Sequence, residues 1–140
     1  MGKPEIEKMI AMAMQARENA YVPYSHFQVG ACLVSEKGDM YTGCNIENAS
    51  YSGTNCAERT AFFKAVSEGE RDFDSIVIVG GKQGEALDWC PPCGICRQVM
   101  SEFCDPEKFQ VILAKSEKEY QCYTLKELLP LSFGKGNLES

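Results

Sequence analysis

Two short apolar runs constrain the fold of this chain most strongly, SIVIVG at residues 75–80 and FQVILA at residues 109–114. Neither run alternates regularly between apolar and polar residues, which is typical of strands that are covered on both faces. The segment between them contains apolar residues at helical spacing over residues 94–104. Two covered strands separated by a helix predict a right-handed parallel crossover, because this connection packs the helix back onto the sheet.

Three further segments are predicted to be strands. FQVGACLVS at residues 27–35 and MYTGCNI at residues 40–46 are rich in apolar and β-branched residues, and the turn sequence EKGD joins them. This pattern predicts an antiparallel hairpin. EYQCY at residues 119–123 predicts a shorter strand near the end of the chain. The sheet is therefore expected to have about five strands of mixed direction.

The remaining helices follow from the spacing of apolar residues. This spacing predicts helices over residues 4–20 and 56–68, and TLKE at residues 124–127 has the form of a capping box before a brief helix. With helices before, between and after the strands, the expected architecture is a three-layer α/β/α sandwich on a mixed five-stranded sheet. A length of 140 residues predicts one domain, over residues 1–140.

Composition and charge exclude several classes of protein. The chain is 44% hydrophobic and 24% charged, which is typical of a folded globular protein. Its net charge of −6 and the lack of a basic run argue against a nucleic-acid partner, since such binding depends on Lys and Arg that neutralise phosphates. No apolar run is long enough for a membrane span and no secretory signal is recognisable, so we expect a cytoplasmic protein without a membrane partner.

Three cysteines stand where predicted helices begin. Cys56 opens the helix over residues 56–68, and Cys93 and Cys96 open the helix over residues 94–104. A thiolate at a helix N-terminus is stabilised by unpaired N–H groups and by the positive end of the helix dipole. If the two helix ends converge, three thiolates surround one point. Three protein ligands with an open fourth position are typical of catalytic zinc.

Glu58 completes a recognisable pattern around these thiols. It follows Cys56 by two residues, and C-A-E … P-C-x-x-C matches the signature of zinc deaminases, in which a glutamate that is not a ligand moves protons. The only histidine, His26, lies far from this spacing, so the expected ligand set is all cysteine. Alone, Glu58 would be interpreted as a capping partner of Asn55. The cysteines around it favour the catalytic interpretation.

Arg59 has two open interpretations. Three thiolates leave a zinc site with net negative charge, which would weaken the Lewis acidity of the metal. Arg59, the next residue after Glu58, could hydrogen-bond these thiolates and offset their charge. A solvated helix residue is the equally balanced alternative.

The extra thiol of Cys90 keeps other hypotheses open. Cys90 with Cys93 could form an alternative ligand pair, although Cys93-x-x-Cys96 follows Pro92 as the deaminase signature requires. The same two thiols could form a dithiol redox pair, whose potential would identify it. A structural zinc module is a further alternative, and it predicts four protein ligands with no open position.

Five stretches, taken together, resemble the small, homo-oligomeric cytidine deaminases of nucleoside salvage. They are YVPYSHFQVGACL, GCNIENASY, NCAERTAFFKAV, PCGICRQV and LLPLSFG. The resemblance runs from the first helix to about residue 138. It implies a cytidine deaminase-like fold, a Zn²⁺ cofactor and hydrolysis of cytidine and deoxycytidine to uridine and deoxyuridine with release of ammonia. Deamination of a related aminated nucleoside analogue is the nearest alternative.

The resemblance also implies a set of substrate contacts. Asn45 and Glu47 would bind the ribose 3′-hydroxyl, and Tyr51 would line the sugar pocket. Phe27 would stack near the base, whose carbonyl would accept a hydrogen bond from the backbone N–H of Ala57. A carboxylate at the 3′-position would also repel a 3′-phosphate, which disfavours polynucleotides. A small nucleoside is therefore the expected partner.

The resemblance further implies a homotetramer with active sites at subunit interfaces, because Phe133 would reach into a neighbouring subunit's pocket. Besides the extra Cys90, the chain departs from the family pattern in two places. Pro91 stands where the family commonly has serine, and Ile95 where it has a small residue between the last two cysteines. Pro91 keeps a backbone carbonyl that could contact the leaving amine, but it offers no hydroxyl.

Overall fold

The computed structural model describes residues 4–138, which form a mixed sheet of five strands with helices packed on both faces. The helices are α1 (Ile6–Arg17), α2 (Ala57–Ser67), α3 (Gly94–Phe103) and α4 (Leu125–Leu128). The strands are β1 (Phe27–Ser35), β2 (Met40–Cys44), β3 (Phe73–Lys82), β4 (Gln110–Ala114) and β5 (Tyr120–Thr124). Short 3-10 turns occupy Tyr51–Gly53 and Lys135–Asn137. Within residues 4–138, no helix combines the length and the apolar character that a membrane span requires.

The sheet has the strand order β2-β1-β3-β4-β5. Strands β3 and β4 are parallel, and every other neighbouring pair is antiparallel. Helix α3 lies between β3 and β4 in the chain. This arrangement confirms the expected hairpin and the parallel crossover, and it is the mixed five-stranded sheet that the apolar runs predict.

The central strands are covered on both faces. In β1, Ala31 and Leu33 pack into the core beneath α2 and α3, whereas Cys32 and Val34 pack against α1 on the opposite face. All four side chains are fully buried. Because successive residues of a strand point to opposite faces, this alternation requires a helical layer on each side of the sheet. The three-layer architecture follows from it.

The observed boundaries differ from the expected ones where backbone bridges form. Helix α1 ends at Arg17 instead of residue 20, because the chain turns so that Tyr21 can pair with Ile46 in an isolated bridge. Strand β2 ends at Cys44 for a related reason, since Ile46 also pairs with Asn55. These long-range contacts have no signal in local spacing.

Gly43 in β2 determines how closely α2 approaches the sheet. A Cβ atom at this position would lie 2.5 Å from the carbonyl oxygen of Ala57 and 2.6 Å from the backbone nitrogen of Ala61. Any other residue would push the first turn of α2 away from β2. Gly43 therefore places the N-terminus of α2, and Cys56 before it, directly against the edge strand.

Candidate functional site

Two helices begin at the same point of the structure. Cys56 is the N-cap residue of α2, Cys93 is the N-cap residue of α3, and Cys96 lies in the first turn of α3. Cys56 Sγ is 3.6 Å from Cys93 Sγ, which is 3.3 Å from Cys96 Sγ. Within residues 4–138, these three side chains form the group that could hold a metal ion, with all sulfur atoms within 4.8 Å of one another.

The donor set fits zinc. Thiolate sulfur is a soft ligand that zinc accepts in tetrahedral sites, and three protein ligands leave one position for water or substrate. Cys96 is buried, Cys56 is partly buried and Cys93 is exposed. The group therefore opens to solvent on one side, as a site that must admit a substrate requires.

Arg59 contacts the sulfur group directly. Its Nη2 donates a hydrogen bond of 3.2 Å to Cys56 Sγ. Hydrogen bonds from Cys96 and Arg59 lower the pKa of Cys56 to about 5, although burial opposes the shift. The pKa of Cys96 is raised because it shares its proton with Cys56 and is buried. Of the two interpretations left open for Arg59, the geometry favours the thiolate contact.

Glu58 is buried beside the three sulfurs. It lies in the first turn of α2, and only 4% of its surface is exposed. Burial raises the pKa of Glu58 to about 7, and the negative charge of Cys56 adds to the shift. A carboxyl group whose pKa is near neutral pH can both accept and donate a proton at that pH. Its position and environment are those of an acid–base group.

Glu47 is held firmly by the loop before β1. Its Oε1 accepts hydrogen bonds from the backbone N–H groups of Tyr24 at 3.0 Å and Ser25 at 3.1 Å, and its Oε2 accepts one from the Ser25 hydroxyl. Burial opposes ionisation, but these hydrogen bonds hold the pKa of Glu47 below its usual range. Glu47 lines a cavity of about 290 Å³ together with Tyr24, Ser25, Asn48, Tyr51 and Thr54.

Asn45 is used to hold the start of β1. Its Nδ2 donates to the carbonyl oxygen of Phe27, and its Oδ1 accepts from the backbone N–H of Val29, each at 2.9 Å. One amide hydrogen and one oxygen lone pair remain for other partners. Phe27 is partly buried and packs against the core beneath α2 and α3. Asn45, which the resemblance places at the ribose, is therefore bonded to Phe27, which the resemblance places near the base.

The other predicted contact residues differ in their exposure. Ala57 is fully buried as the first residue of α2, where helix geometry leaves a backbone N–H without an intrahelical acceptor. Tyr51 is 80% exposed and makes an edge contact with the ring of Tyr24. Phe133 is 59% exposed, and its carbonyl oxygen accepts a hydrogen bond of 2.7 Å from Gln98 Nε2. Phe133 thus lies at the surface of the single chain.

Cys90 stands apart from the sulfur group. Its Sγ lies against Gly80 of β3, and its partly buried side chain packs against the core. Burial raises the pKa of Cys90 to about 12, and the nearby charges of Glu58 and Cys56 act in the same direction. A buried, neutral thiol in this position has the character of a packing group.

Two residues of the site were not singled out from the sequence. Ser25 holds Glu47, and the signal was available because Ser25 lies inside the stretch YVPYSHFQVGACL. Arg97 donates from Nε to the carbonyl oxygen of Pro92 and from Nη1 to that of Leu128, each at 2.8 Å. Arg97 therefore connects the loop before Cys93 to the C-terminal segment, a contact that only the folded chain brings about.

Comparison with known proteins identifies the class. A three-cysteine group with a buried glutamate at the start of a helix is typical of zinc-dependent deaminases. Residues 3–113 match the family model described as the cytidine and deoxycytidylate deaminase zinc-binding region. The chain belongs to this family.

Curated relatives and solved structures agree with the family match. The chain is 50% identical over 134 residues to the cytidine deaminase of Sporosarcina psychrophila, covering 96% of this chain and 95% of the relative. It is 52% identical over 127 residues to that of Halalkalibacterium halodurans, covering 91% and 92%. The crystal structure of cytidine deaminase from Burkholderia pseudomallei superimposes with a TM-score of 0.84 at 43% identity, covering 93% of this chain and 100% of that one. These similarities confirm the expected fold.

Proposed function

We propose that this protein is a zinc-dependent cytidine deaminase that hydrolyses cytidine and deoxycytidine to uridine and deoxyuridine with release of ammonia. The observation that carries the proposal is the placement of buried Glu58 beside the three sulfurs of Cys56, Cys93 and Cys96. Two of the cytidine deaminases named above are 50% and 52% identical to this chain over the aligned residues, which supports the same substrate class.

The proposed chemistry at the base requires a nucleophile and a proton carrier. Zinc held by the three thiolates would supply a strong nucleophile from water at neutral pH. Glu58 would take one proton of the attacking water and pass it to the ring nitrogen, and it would then take the remaining hydroxyl proton of the addition product and give it to the departing amine. The backbone N–H of Ala57 would hold the base carbonyl. Water adds, ammonia leaves and Glu58 returns to its starting state, so the reaction balances.

At the sugar end, the pocket around Glu47 would receive the ribose. The carboxylate is already fixed by Ser25 and Tyr24, so little ordering is needed when a 3′-hydroxyl donates to it. Tyr51 would form a wall of this pocket. Asn45 would use its remaining hydrogen-bonding capacity for the sugar while it holds Phe27 near the base.

The proposed function also involves an oligomeric state and a cellular compartment. We propose one catalytic domain over residues 1–140 that forms a homotetramer, in which Phe133 completes the pocket of a neighbouring subunit. The exposed ring of Phe133 supports this, because aromatic residues are enriched at protein–protein interfaces compared with the rest of the surface. We also propose a cytoplasmic role in pyrimidine salvage without nucleic-acid or membrane partners, and the acidic charge supports the lack of a nucleic-acid partner.

The test compares the zinc-loaded wild-type protein with Glu58→Gln, following conversion of cytidine to uridine by ultraviolet absorbance. We expect kcat/KM to fall between about 100- and 10,000-fold, because the amide of the glutamine side chain cannot carry protons. Zinc content should not change, since Glu58 is not a ligand. Glu68→Gln, an exposed change just beyond the end of α2, is the matched control and should retain full activity.

Two outcomes would overturn the proposal. No conversion of cytidine or deoxycytidine by zinc-loaded wild-type tetramer would exclude the substrate assignment, and a panel of aminated nucleoside analogues would then test the nearest alternative. Four sulfur ligands in zinc-edge spectroscopy, with no open position, would instead support a structural zinc module.

A further inference from the structure

Cys90 and Gly80 form a close contact next to the candidate site, and neither residue has a role in the proposed chemistry. A Cβ atom built on Gly80 would lie 2.7 Å from Cys90 Sγ, 2.9 Å from Cys90 Cβ and 3.2 Å from Cε1 of Phe27. The cysteine side chain and the phenylalanine ring therefore both lie against the same face of one glycine. The absence of a side chain on Gly80 makes this arrangement possible.

The contact joins the two ends of the candidate site. On one side, Cys90 is close enough to Glu58 and Cys56 for their negative charges to raise the pKa of its thiol, in addition to the larger effect of burial. On the other side, Phe27 is tied through its carbonyl oxygen to Asn45. Cys90 and Gly80 thus lie near the sulfur group and next to the ring of a residue that Asn45 holds.

The thiol of Cys90 fills space without carrying charge. Its side chain is partly buried and belongs to the apolar core that Phe27 and Trp89 also contact. The metal-binding group formed by described residues contains Cys56, Cys93 and Cys96, and Cys90 is not part of it. A free cysteine in such a place behaves as a small hydrophobic group, which can fill the space beside an aromatic ring.

We propose that Cys90 and Gly80 are positioning residues that hold the Phe27 ring in the orientation needed to receive the base of the substrate. Gly80 provides the space, Cys90 fills it, and the ring of Phe27 rests against both. This inference depends on the proposed deamination of cytidine. It adds two residues that act on binding through Phe27 and do not take part in the chemical step.

Gly80→Ala tests the space directly. The added methyl group must displace Cys90 or Phe27, so the ring loses its orientation and substrate binding weakens. With zinc-loaded protein, we expect KM for cytidine to rise about fivefold while kcat stays within about twofold, because stacking acts on the bound substrate and the transition state alike. A fall in kcat at unchanged KM would overturn the proposal.

Cys90→Ala tests the filling group and remains informative if Gly80→Ala does not fold. Removing Sγ leaves a gap beside Phe27, and KM should rise about threefold at nearly constant kcat. In the double variant Gly80→Ala with Cys90→Ala, the loss of Sγ removes the closest of the three contacts of the new methyl group, whereas Cβ of residue 90 and Cε1 of Phe27 remain at 2.9 and 3.2 Å. KM should therefore rise less than the two single effects together predict. Additive effects of the two changes would overturn the proposal.

Cys122→Ala is the matched control for removing a thiol, because Cys122 is exposed on β5. It should leave KM and kcat unchanged. Loss of zinc from Cys90→Ala would overturn the positioning role, since it would make Cys90 a ligand. An inactive zinc-loaded wild-type protein would overturn the deaminase proposal and this inference together. An active wild type with an unchanged KM in Cys90→Ala would overturn this inference alone.

Discussion

The residue whose contact most directly affects the metal site is Arg59. Three thiolates bring three negative charges to an ion that carries two positive ones, so the group is negative overall. Arg59 Nη2 donates to Cys56 Sγ at 3.2 Å and supplies a compensating charge within hydrogen-bonding distance. Residues that hydrogen-bond to a metal ligand commonly orient that ligand and affect the affinity and reactivity of the metal.

We predict that Arg59→Ala lowers zinc affinity or kcat by about 10- to 100-fold. This is the usual effect of removing a residue that hydrogen-bonds to a metal ligand. The reason is the loss of both the hydrogen bond and the positive charge at Cys56. Competition with a chelator at neutral pH measures the affinity, and the absorbance assay measures kcat. Arg59→Lys keeps the charge and should recover part of the loss.

Equal zinc affinity and equal kcat in the wild-type protein and Arg59→Ala would contradict this prediction. Arg59 would then be a packing residue whose contact with Cys56 has no energetic consequence for the metal.

Among the elements, the turn between α2 and β3 is bonded to the C-terminal end of α2, because the backbone N–H of Glu70 donates to the carbonyl oxygen of Ala65. Glu70 in this turn is buried, and its Oε1 accepts hydrogen bonds from the backbone N–H groups of Arg71 and Asp72. Its Oε2 lies 3.5 Å from Lys37 Nζ in the β1–β2 turn. Its negative charge also adds to the effect of burial in raising the pKa of Tyr41 in β2. Burial opposes ionisation, but these partners hold the pKa of Glu70 below its usual range.

We predict that Glu70→Gln lowers the free energy of unfolding at pH 7 by about 1 kcal/mol, because hydrogen bonds to a charged group contribute about 1.5–3 kcal/mol and those to a neutral group about 1 kcal/mol. A group whose pKa is lowered in the folded state stabilises the fold above its unfolded pKa, about 4.3 for glutamate. This contribution is lost as the pH falls through the lower, folded pKa. The difference between wild type and variant should therefore shrink below about pH 4.

Urea unfolding at a fixed protein concentration, repeated between pH 7 and about pH 3.5, measures this difference. Glu68→Gln, an exposed change two residues earlier, is the control and should show no such trend. A difference between wild type and Glu70→Gln that stays constant over this range would mean that the charge of Glu70 does not stabilise the turn.

For the whole molecule, the C-terminal segment presents apolar groups that the described part of the single chain leaves uncovered. Phe133 is 59% exposed, Leu138 is 77% exposed and the Leu131 side chain is fully exposed. Gln98 of α3 holds the backbone of this segment through the Phe133 carbonyl oxygen. A held segment with exposed apolar side chains is the arrangement expected of a surface that docks onto another subunit.

We predict that Phe133→Ala lowers kcat/KM by about 10- to 30-fold, as expected for an aromatic anchor at an interface. If Phe133 acts in a neighbour's pocket, mixing Phe133→Ala with the inactive Glu58→Gln should restore activity. In mixed assemblies, a chain with intact Glu58 can receive Phe133 from its partner. Activity of the mixture, measured after subunit exchange, should exceed the sum of the separate variants.

The control for this mixture replaces Glu58→Gln with the double variant Glu58→Gln and Phe133→Ala, which cannot supply the missing ring. Subunit exchange is followed by separating tagged and untagged chains. If subunits exchange but activity does not recover, Phe133 does not complete the pocket of a neighbouring subunit.

The local elements could be predicted well because apolar spacing and helix caps are written into short stretches. The runs SIVIVG and FQVILA predicted the parallel pair, and Thr124 with Glu127 forms the expected capping box. The candidate zinc ligands followed from their positions at helix starts. The end of α1 and the short β2 could not be predicted in this way, because bridges to Ile46 from distant residues determine them.

The sequence by itself determined which residues can do chemistry here, because residue type and spacing decide what a cysteine or glutamate at a helix start can offer. Only the tertiary structure decided which of them meet. It brought three sulfurs within 4.8 Å, buried Glu58 beside them, and placed Cys90 against Gly80, outside the group that could hold a metal ion. Burial and distance arise from packing between segments far apart in the chain, and no local pattern encodes them.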